Sequence, residues 1–306
     1  MNSTFKKVCI IGLGLIGGSI GLAMKRSKIS NQIIGFARSN STLKRAIELG
    51  LVDTVKDNLE DAVNDCDLII LATPLSTFKK LVEEMSPFLK KDCIITDTGS
   101  AKLSVIEDLR GILPNNVEFI PGHPIAGTEE SGPDAGFAEL FDNRWCILTP
   151  TEENSSNAIG LIKEFWESIG SKVEIMDPLH HDKVLAITSH IPHLIAFNIV
   201  GTANNLANVT EKEVVKYSAG GFRDFTRIAA SDPKMWSDIF TYNSEAVLEM
   251  LELFSNDLAK LKAAVIKKDS DLLFSNFEKT REVRKNIIDA GQEESDVDFG
   301  RKKSEE

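Results

Sequence analysis

The chain is short of cysteine, of positive charge and of uncharged apolar runs. Its four cysteines, Cys9, Cys66, Cys93 and Cys146, form no CxxC pair. Three of them fall inside apolar, strand-like runs. This excludes a disulfide scaffold and favours buried thiols in a reducing cytoplasm. Acidic residues outnumber basic ones by 46 to 35, for a net charge of −11. A field of that sign repels nucleic acid, so no such partner is expected. Any cationic site for an anionic ligand must then be assembled locally. Asp, Glu or Lys is read as interrupting every apolar run short of a membrane span, so no membrane partner is expected. The first apolar run leads into glycines rather than a cleavage site, so no signal peptide is expected and the location is cytoplasmic. Internal repeats and Pro- or Ser-rich linkers are also missing.

What is present suffices for two globular domains in 306 residues, 42% of them apolar. "KKVCIIGLGLIGGSIGLAMKRS" reads as a strand from Val8 to Ile11 and a turn at Gly12. A helix follows, with Leu15, Ile16, Ile20, Leu22, Ala23 and Met24 apolar. "QIIGFARS" is a second strand, and "STLKRAIELG" a helix with Ser41 as N-cap and Gly50 at its end. "DLIILATP", "CIITDTGS", "VEFIPGH", "WCILTP" and "SKVEIM" read as further strands, and "LSVIEDLRGIL" and "AIGLIKEFWESIG" as helices. Strands alternating with helices imply a mostly parallel sheet covered on both faces. The fold class is therefore α/β over residues 1–176, followed by an all-α domain, residues 177–291.

The change comes at "MDPLHHDK", where Asp177 reads as an N-cap and Pro178 as the first helical position. No convincing strand follows. In the helix after Ser244, Val247, Leu251, Phe254, Leu258, Leu261 and Val265 recur at spacings of four and three. This is a lengthwise packing seam. It serves either an intramolecular bundle core or a dimer interface. Residues 292–306 are charged and nearly free of apolar side chains, which implies disorder.

Gly12-Leu13-Gly14-Leu15-Ile16-Gly17 follows a strand and opens a helix, the context that makes GxGxxG a dinucleotide turn. Gly12, Gly14, Leu15, Ile16 and Gly17 would bring backbone N–H groups to a pyrophosphate at the helix N-terminus. NAD-preferring sites carry an acid at the end of the second strand; here Ala37 stands there, followed by Arg38 and Ser39. Arg38 and Ser39 could bond a 2′-phosphate, which favours NADP slightly over NAD. Alternatively Arg38 only stacks on adenine and either nucleotide binds.

In an open parallel sheet, ligands bind beyond the carboxyl ends of the strands. Thr73-Pro74, Asp97 to Ser100, and Gly122-His123-Pro124 fall at such ends, with Thr73, Pro74 and Asp97 bordering the nucleotide. The segment "IPGHPIAGTEESG", Ile120 to Gly132, reads as a rigid, exposed connection. An imidazole at His123 could take a proton while a hydride leaves for a nicotinamide, or could merely cap a turn. In the helical half, His190 and His193 lie one turn apart, with Pro192 bending the helix between them. Arg223 and Arg227, at i and i+4, form either salt bridges to Asp224 or Asp232 or a paired carboxylate clamp. The histidines lack the compact ligand spacing of zinc sites, so no metal is expected.

"GLGLIGGS", "DTGSAK", "GHPIAGTEESG", "HDKVLAITSHIPH" and "GGFRDFTRIAASDPKMW" together resemble the prephenate/arogenate (cyclohexadienyl) dehydrogenases of the TyrA type, from Val8 to about Ile288. The resemblance implies a Rossmann-like domain and a helical domain that forms a homodimer. It implies oxidative decarboxylation of prephenate or arogenate with hydride transfer to NAD(P)+, in tyrosine biosynthesis. His123 would be the base, and Ser100 would bond the same substrate hydroxyl or the imidazole. Arg227 would pair with the ring carboxylate, with Arg223 beside it. His193, supported by Asp182, would line the pocket, Thr128 would approach the substrate side chain, and Trp236 would reach over from the other subunit. The alternatives are another Rossmann-type β-hydroxyacid or imine oxidoreductase, or a nucleotide sensor without activity.

Overall fold

The structure, a computed structural model, describes residues 5–205 and 220–289. The tail at 292–306 lies outside the described residues. The chain divides into two compact units, Met1–Val247 and Leu248–Glu306.

The first unit is built on β1 (Phe5–Ile11), β2 (Ser30–Phe36), β3 (Thr54–Lys56), β4 (Leu68–Leu71), β5 (Ile94–Asp97) and β6 (Glu118–Ile120). They form one parallel sheet in the order β3-β2-β1-β4-β5-β6. The order reverses direction between β1 and β4, and a doubly wound sheet opens its ligand crevice at such a point. All four residues of β4 are buried, as expected of a strand covered on both faces. The period-2 rule divides neighbouring residues between two cores. Val8, Ile10, Leu68 and Ile70 pack on one side, and Cys9, Ile11, Ile69 and Leu71 on the other. All four cysteines are buried and unpaired.

On the first face pack α1 (Leu15–Ser27), α2 (Asn40–Glu48) and α6 (Ser156–Ser168); on the second, α3 (Leu59–Val63), α4 (Phe78–Met85) and α5 (Leu103–Leu109). The N-cap of α2 is Ser39, which accepts from Thr42 N, rather than the expected Ser41. Ser41 bonds Ser39 Oγ instead. The strand read as one piece in "VEFIPGH" is two. β6 ends at Ile120, and Pro121, which lacks an N–H to donate, separates it from β7 (Gly122–Pro124). β7 pairs antiparallel with β8 (Trp145–Leu148), which runs parallel to β9 (Lys172–Ile175), in a second sheet. His123 is therefore a strand residue paired with Ile147 and only 7% exposed, not part of an exposed connection.

No described residue after β9 is in a strand. Asp177 caps α7 (Pro178–Leu185) through His180 N, with Pro178 in the first turn. A π-turn at Ala186–His190 joins α7 to α8 (Ile191–Asn204). Pro192 has no N–H to give to the residue four before it, so the regular ladder is interrupted there. Contrary to expectation, one helical stretch, Pro178–Asn204, is long and apolar enough to span a membrane. No Asp, Glu, Lys or Arg occurs between Val184 and Asn204. Its buried residues include His181, Asp182 and His190, which are hydrogen-bonded within the protein. Then follow α9 (Gly220–Thr226), a 3₁₀ turn at Arg227–Ala230, and α10 (Pro233–Tyr242), capped by Asp232.

The second unit consists of most of α11 (Ser244–Lys267) and all of α12 (Ser270–Asp289). Leu258, Val265, Phe274, Phe277 and Val283 are each more than half exposed. In these described residues the α11 seam therefore does not close as an intramolecular core.

Candidate active site

The glycine turn forms one wall of a cleft of about 550 Å³. The cleft is lined from β1 and its turn (Ile11, Gly12, Gly14), from the end of β2 (Phe36 to Ser39) and from the turn after β4 (Ala72 to Pro74). Its glycines have distinct physical roles. Gly12 sits at φ +100°, and a Cβ there would stand 2.3 Å from Ala72 O. A Cβ on Gly17 would meet Gly12 O at 1.9 Å, so Gly17 lets the helix start against the turn. A Cβ on Gly14 would meet nothing within 4 Å, which leaves that side open to a ligand. No side chain caps α1 and no acid lies in its first turn, so its first amides stay available to an anion. The arrangement fits a dinucleotide pyrophosphate. Leu15 is a core side chain and Ile16 packs against that core, so both could contribute only their backbone amides. Arg38 is exposed at the cleft edge, with no ion-pair partner among the described residues.

Beyond β5 the residues build a closed polar network. The Asp97 side chain does not line the cleft. The carboxylate is fully buried, paired to Lys102 Nζ at 2.5 Å, and accepts from Gly99 N at 2.8 Å and Gly122 N at 3.0 Å. Lys102, equally buried, also donates to Gly122 O at 2.7 Å. Asp97 and Lys102 thus fix the residue immediately before His123. Thr98 N donates to Leu71 O at 3.1 Å, tying this network to the strand whose end lines the cleft. Breaking such a desolvated pair costs about 3–5 kcal/mol, so this part of the site is rigid.

His123 Nδ1 lies 2.9 Å from His181 Nε2. His181 Nδ1 lies 2.8 Å from Asp182 Oδ1. Asp182 also accepts from Lys102 N at 2.9 Å and Leu103 N at 3.0 Å. It therefore supports His181, not His193 as expected. His193 Nδ1 instead bonds Ser189 O at 2.9 Å, and its ring stacks on Trp236 with centroids 3.6 Å apart. Trp236 is 5% exposed, packed in the core of its own chain. Ser100 is half-buried, and since His181 takes His123 Nδ1, Ser100 does not hold that nitrogen. Burial, reinforced by His181, Lys102 and His190, holds His123 well below the ordinary 6.5, so the imidazole is neutral near pH 7. His190 Nε2 is sealed without a partner among the described residues, whereas His123 Nε2 is not sealed and has no hydrogen-bond partner among them.

Arg223 and Arg227 do not form a clamp, because α9 ends at Thr226 and Arg227 begins the 3₁₀ turn. Arg223 pairs with Asp224 at 3.5 Å and is 75% exposed. Arg227 meets Glu129 at 3.0 Å, next to Thr128, whose Oγ1 accepts from Glu130 N. His181, Lys102 and Glu129 were missed by sequence reading, although "DTGSAK" and "HHDK" contained a signal: cations and acids in otherwise apolar surroundings. No group of three or more His, Cys, Asp or Glu able to hold a metal occurs among the described residues.

Comparison with known proteins identifies the family. Residues 20–175 match "Prephenate dehydrogenase, nucleotide-binding domain" and residues 177–279 match "Prephenate dehydrogenase, dimerization domain". The cyclohexadienyl dehydrogenase of Zymomonas mobilis is 43% identical over 92% of this chain and 96% of its own. The prephenate dehydrogenase of A. aeolicus, solved with hydroxyphenyl propionate and NAD+, superposes with TM-score 0.86 at 36% identity, covering 92% of this chain and 98% of that one. The arogenate dehydrogenase of Synechocystis gives TM-score 0.76 at 28% identity over 92% and 99% of the two chains. The chain belongs to the prephenate dehydrogenase family.

Proposed function

We propose that the protein oxidatively decarboxylates prephenate, arogenate or both, to 4-hydroxyphenylpyruvate or tyrosine, with NADP+ or NAD+ as hydride acceptor. The observation that carries this reading is His123, a buried imidazole held neutral, with one ring nitrogen engaged by His181 and the other unpaired. The substrate class is a cyclohexadienol with a carboxylate on the ring carbon opposite the hydroxyl. When bound, the nicotinamide supplies the acceptor for the hydride of the carbinol carbon. His123 Nε2 takes the hydroxyl proton, and the half-buried Ser100 hydroxyl orients the same oxygen. Loss of the ring carboxylate as carbon dioxide then restores aromaticity and drives the reaction. Arg227 holds that carboxylate in exchange for Glu129, and His193 and Thr128 border the substrate side chain.

Gly12, Gly14 and the α1 amides would hold the pyrophosphate, with Thr73 and Pro74 along its far wall. The absence of a carboxylate at Ala37, with Arg38 exposed and Ser39 beside it, supports NADP over NAD. The exposed apolar faces of α11 and α12 support a homodimer formed by the helical domain, residues 177–291. Four buried, unpaired thiols support a cytoplasmic setting. The test is a two-by-two assay of both substrates against both nucleotides, repeated with His123→Gln. Turnover should vanish in that variant while substrate binding, measured separately, persists. A near-normal rate would remove His123 as the base.

A further inference from the structure

The three-residue chain from His123 to Asp182 has a direction that can be derived from its last member. Asp182 accepts from Lys102 N and Leu103 N, and its Oδ1 lies 2.8 Å from His181 Nδ1. Backbone N–H groups can only donate, so both carboxylate oxygens, Oδ1 toward Lys102 and Oδ2 toward Leu103, are placed as acceptors. His181 Nδ1 must therefore carry a hydrogen. A neutral imidazole has only one N–H, which leaves His181 Nε2 as an acceptor. His123 Nδ1 is then the donor across the 2.9 Å contact, and its own Nε2 is left as a bare lone pair.

We infer that His181 is a positioning residue: oriented by Asp182, its ring fixes His123 in the one tautomer whose Nε2 can receive the substrate hydroxyl proton. This rests on His123 being the base. Were His181 absent or turned, His123 would distribute its hydrogen between both nitrogens, and the form protonated on Nε2 could not act. After transfer, the His123 cation still donates through Nδ1, and the Asp182 charge lies one ring away to stabilise it. The arrangement reproduces the logic of a triad with a second imidazole between base and acid.

The surrounding groups favour this direction. Facing His181 are His123 from β7, Lys102 and Asp97 from the β5–α5 segment, and Asp182 on its own helix. Facing His123 are His181, Lys102 and, from the π-turn, His190. Burial, with the Lys102 charge beside it, outweighs the opposite pull of Asp182 and Asp97 and disfavours a second proton on His181. A doubly protonated His181 would reverse the chain and place a hydrogen on His123 Nε2. The geometry is also stiff: one residue, Lys102, holds Asp182 through its backbone and Gly122 through its side chain.

The experiment compares His181→Leu and His181→Gln in the full chain. Leucine removes both nitrogens, whereas glutamine keeps one acceptor and one donor on a planar group. His181→Leu should lower kcat by about 100-fold or more, as loss of tautomer control does in a triad. Substrate KM and nucleotide Kd should stay within about threefold of wild type. His181→Gln should recover at least roughly tenfold of that loss. With only five histidines in the chain, imidazole ¹⁵N NMR can read which nitrogen of His123 carries hydrogen. Wild type should show Nε2 unprotonated, and His181→Leu a mixture. A kcat within about threefold of wild type in His181→Leu would overturn the relay. So would a wild-type spectrum with Nε2 protonated, which decides the matter even if the leucine variant fails to fold. A dead His123→Gln beside a normal His181→Leu would sink the relay alone, whereas an active His123→Gln would sink the assignment beneath it.

Discussion

Replacing Arg227 with alanine should separate binding from chemistry, and its size can be worked out from the ion pair already present. Arg227 meets Glu129 at 3.0 Å, with the two side chains 45% and 37% exposed. A pair that open to water contributes only about 0.2–1 kcal/mol. The substrate carboxylate can therefore displace Glu129 at little cost, and the mutation should leave the folded state nearly unchanged, with a Tm shift of about 3 °C at most. A carboxylate enclosed with the nicotinamide and held by the guanidinium fork is a stronger interaction. Truncating one partner of such a pair costs about 2–5 kcal/mol. Subtracting the displaced Glu129 contact leaves a net loss of about 1–4 kcal/mol. At 1.4 kcal/mol per tenfold, KM should rise by roughly 50- to 100-fold in the middle of that range. kcat should fall much less, since His123 is untouched. Arg227→Lys should lie between, because it keeps the charge but loses the fork. Glu129→Gln should move KM the opposite way, by up to about fivefold. Steady-state kinetics by nicotinamide absorbance reads all three variants. A KM for Arg227→Ala within about threefold of wild type, with kcat collapsed, would refute the reasoning and move Arg227 into the chemical step.

Three further outcomes follow from other parts of the molecule. Burial holds His190 near about 4 against an ordinary 6.5. The folded form then binds fewer protons, so this contribution to stability is intact above pH 6.5 and is lost as pH falls toward 4, by on the order of 3 kcal/mol. Urea melts between pH 7.5 and 5 should show that slope, and His190→Gln should reduce it by about one proton's share, since His123, His181 and His193 are lowered in the same direction; an unchanged slope would refute it. Leu258 and Val265 are 53% and 62% exposed on α11. Leu258→Glu with Val265→Glu should convert a dimer to monomers by sedimentation, and a wild type already monomeric would refute the interface. Asp238 holds Ser76 N at 3.3 Å and Ser76 Oγ at 2.6 Å, in the turn that follows Pro74 at the cleft wall. Asp238→Asn should weaken nucleotide binding by about 1–2 kcal/mol in a fluorescence titration; an unaltered Kd would detach that turn from the cleft.

The parallel strands and their helices were legible because burial on both faces writes continuous apolar runs, and "LIIL" at Leu68–Leu71 is such a run. The glycine turn was legible because backbone clearance at Gly12 and Gly17 admits no other side chain. The split of "VEFIPGH" was not, because the strand is divided between two sheets by pairings with β5 on one side and β8 on the other. Those partners are distant in sequence, and no local period reports them. His123 was misjudged for the same reason: glycine and proline suggest an exposed loop, whereas Ile147 across the strand buries it. The fate of Arg223 shows a local limit. Spacing of four aligns two arginines only while the helix continues, and this helix ends between them.

The net charge of −11 raised a question that the network around Lys102 answers. An acidic protein needs a base that stays neutral and an anion site that stays positive, and long-range charge serves neither. Asp97 and Lys102 cancel each other within a fully buried pair. What remains of Lys102 is geometry, namely its bonds to Gly122 and Asp182. Its residual positive field also helps keep protons off His123 and His181. Arg227, proposed above as the carboxylate anchor, is in contrast 45% exposed, and a contact with Glu129 that open to water can be exchanged at low cost. On the proposed assignment the two functions need opposite solvation: the proton acceptor is dry and fixed, and the carboxylate anchor has a resident partner that is wet and replaceable.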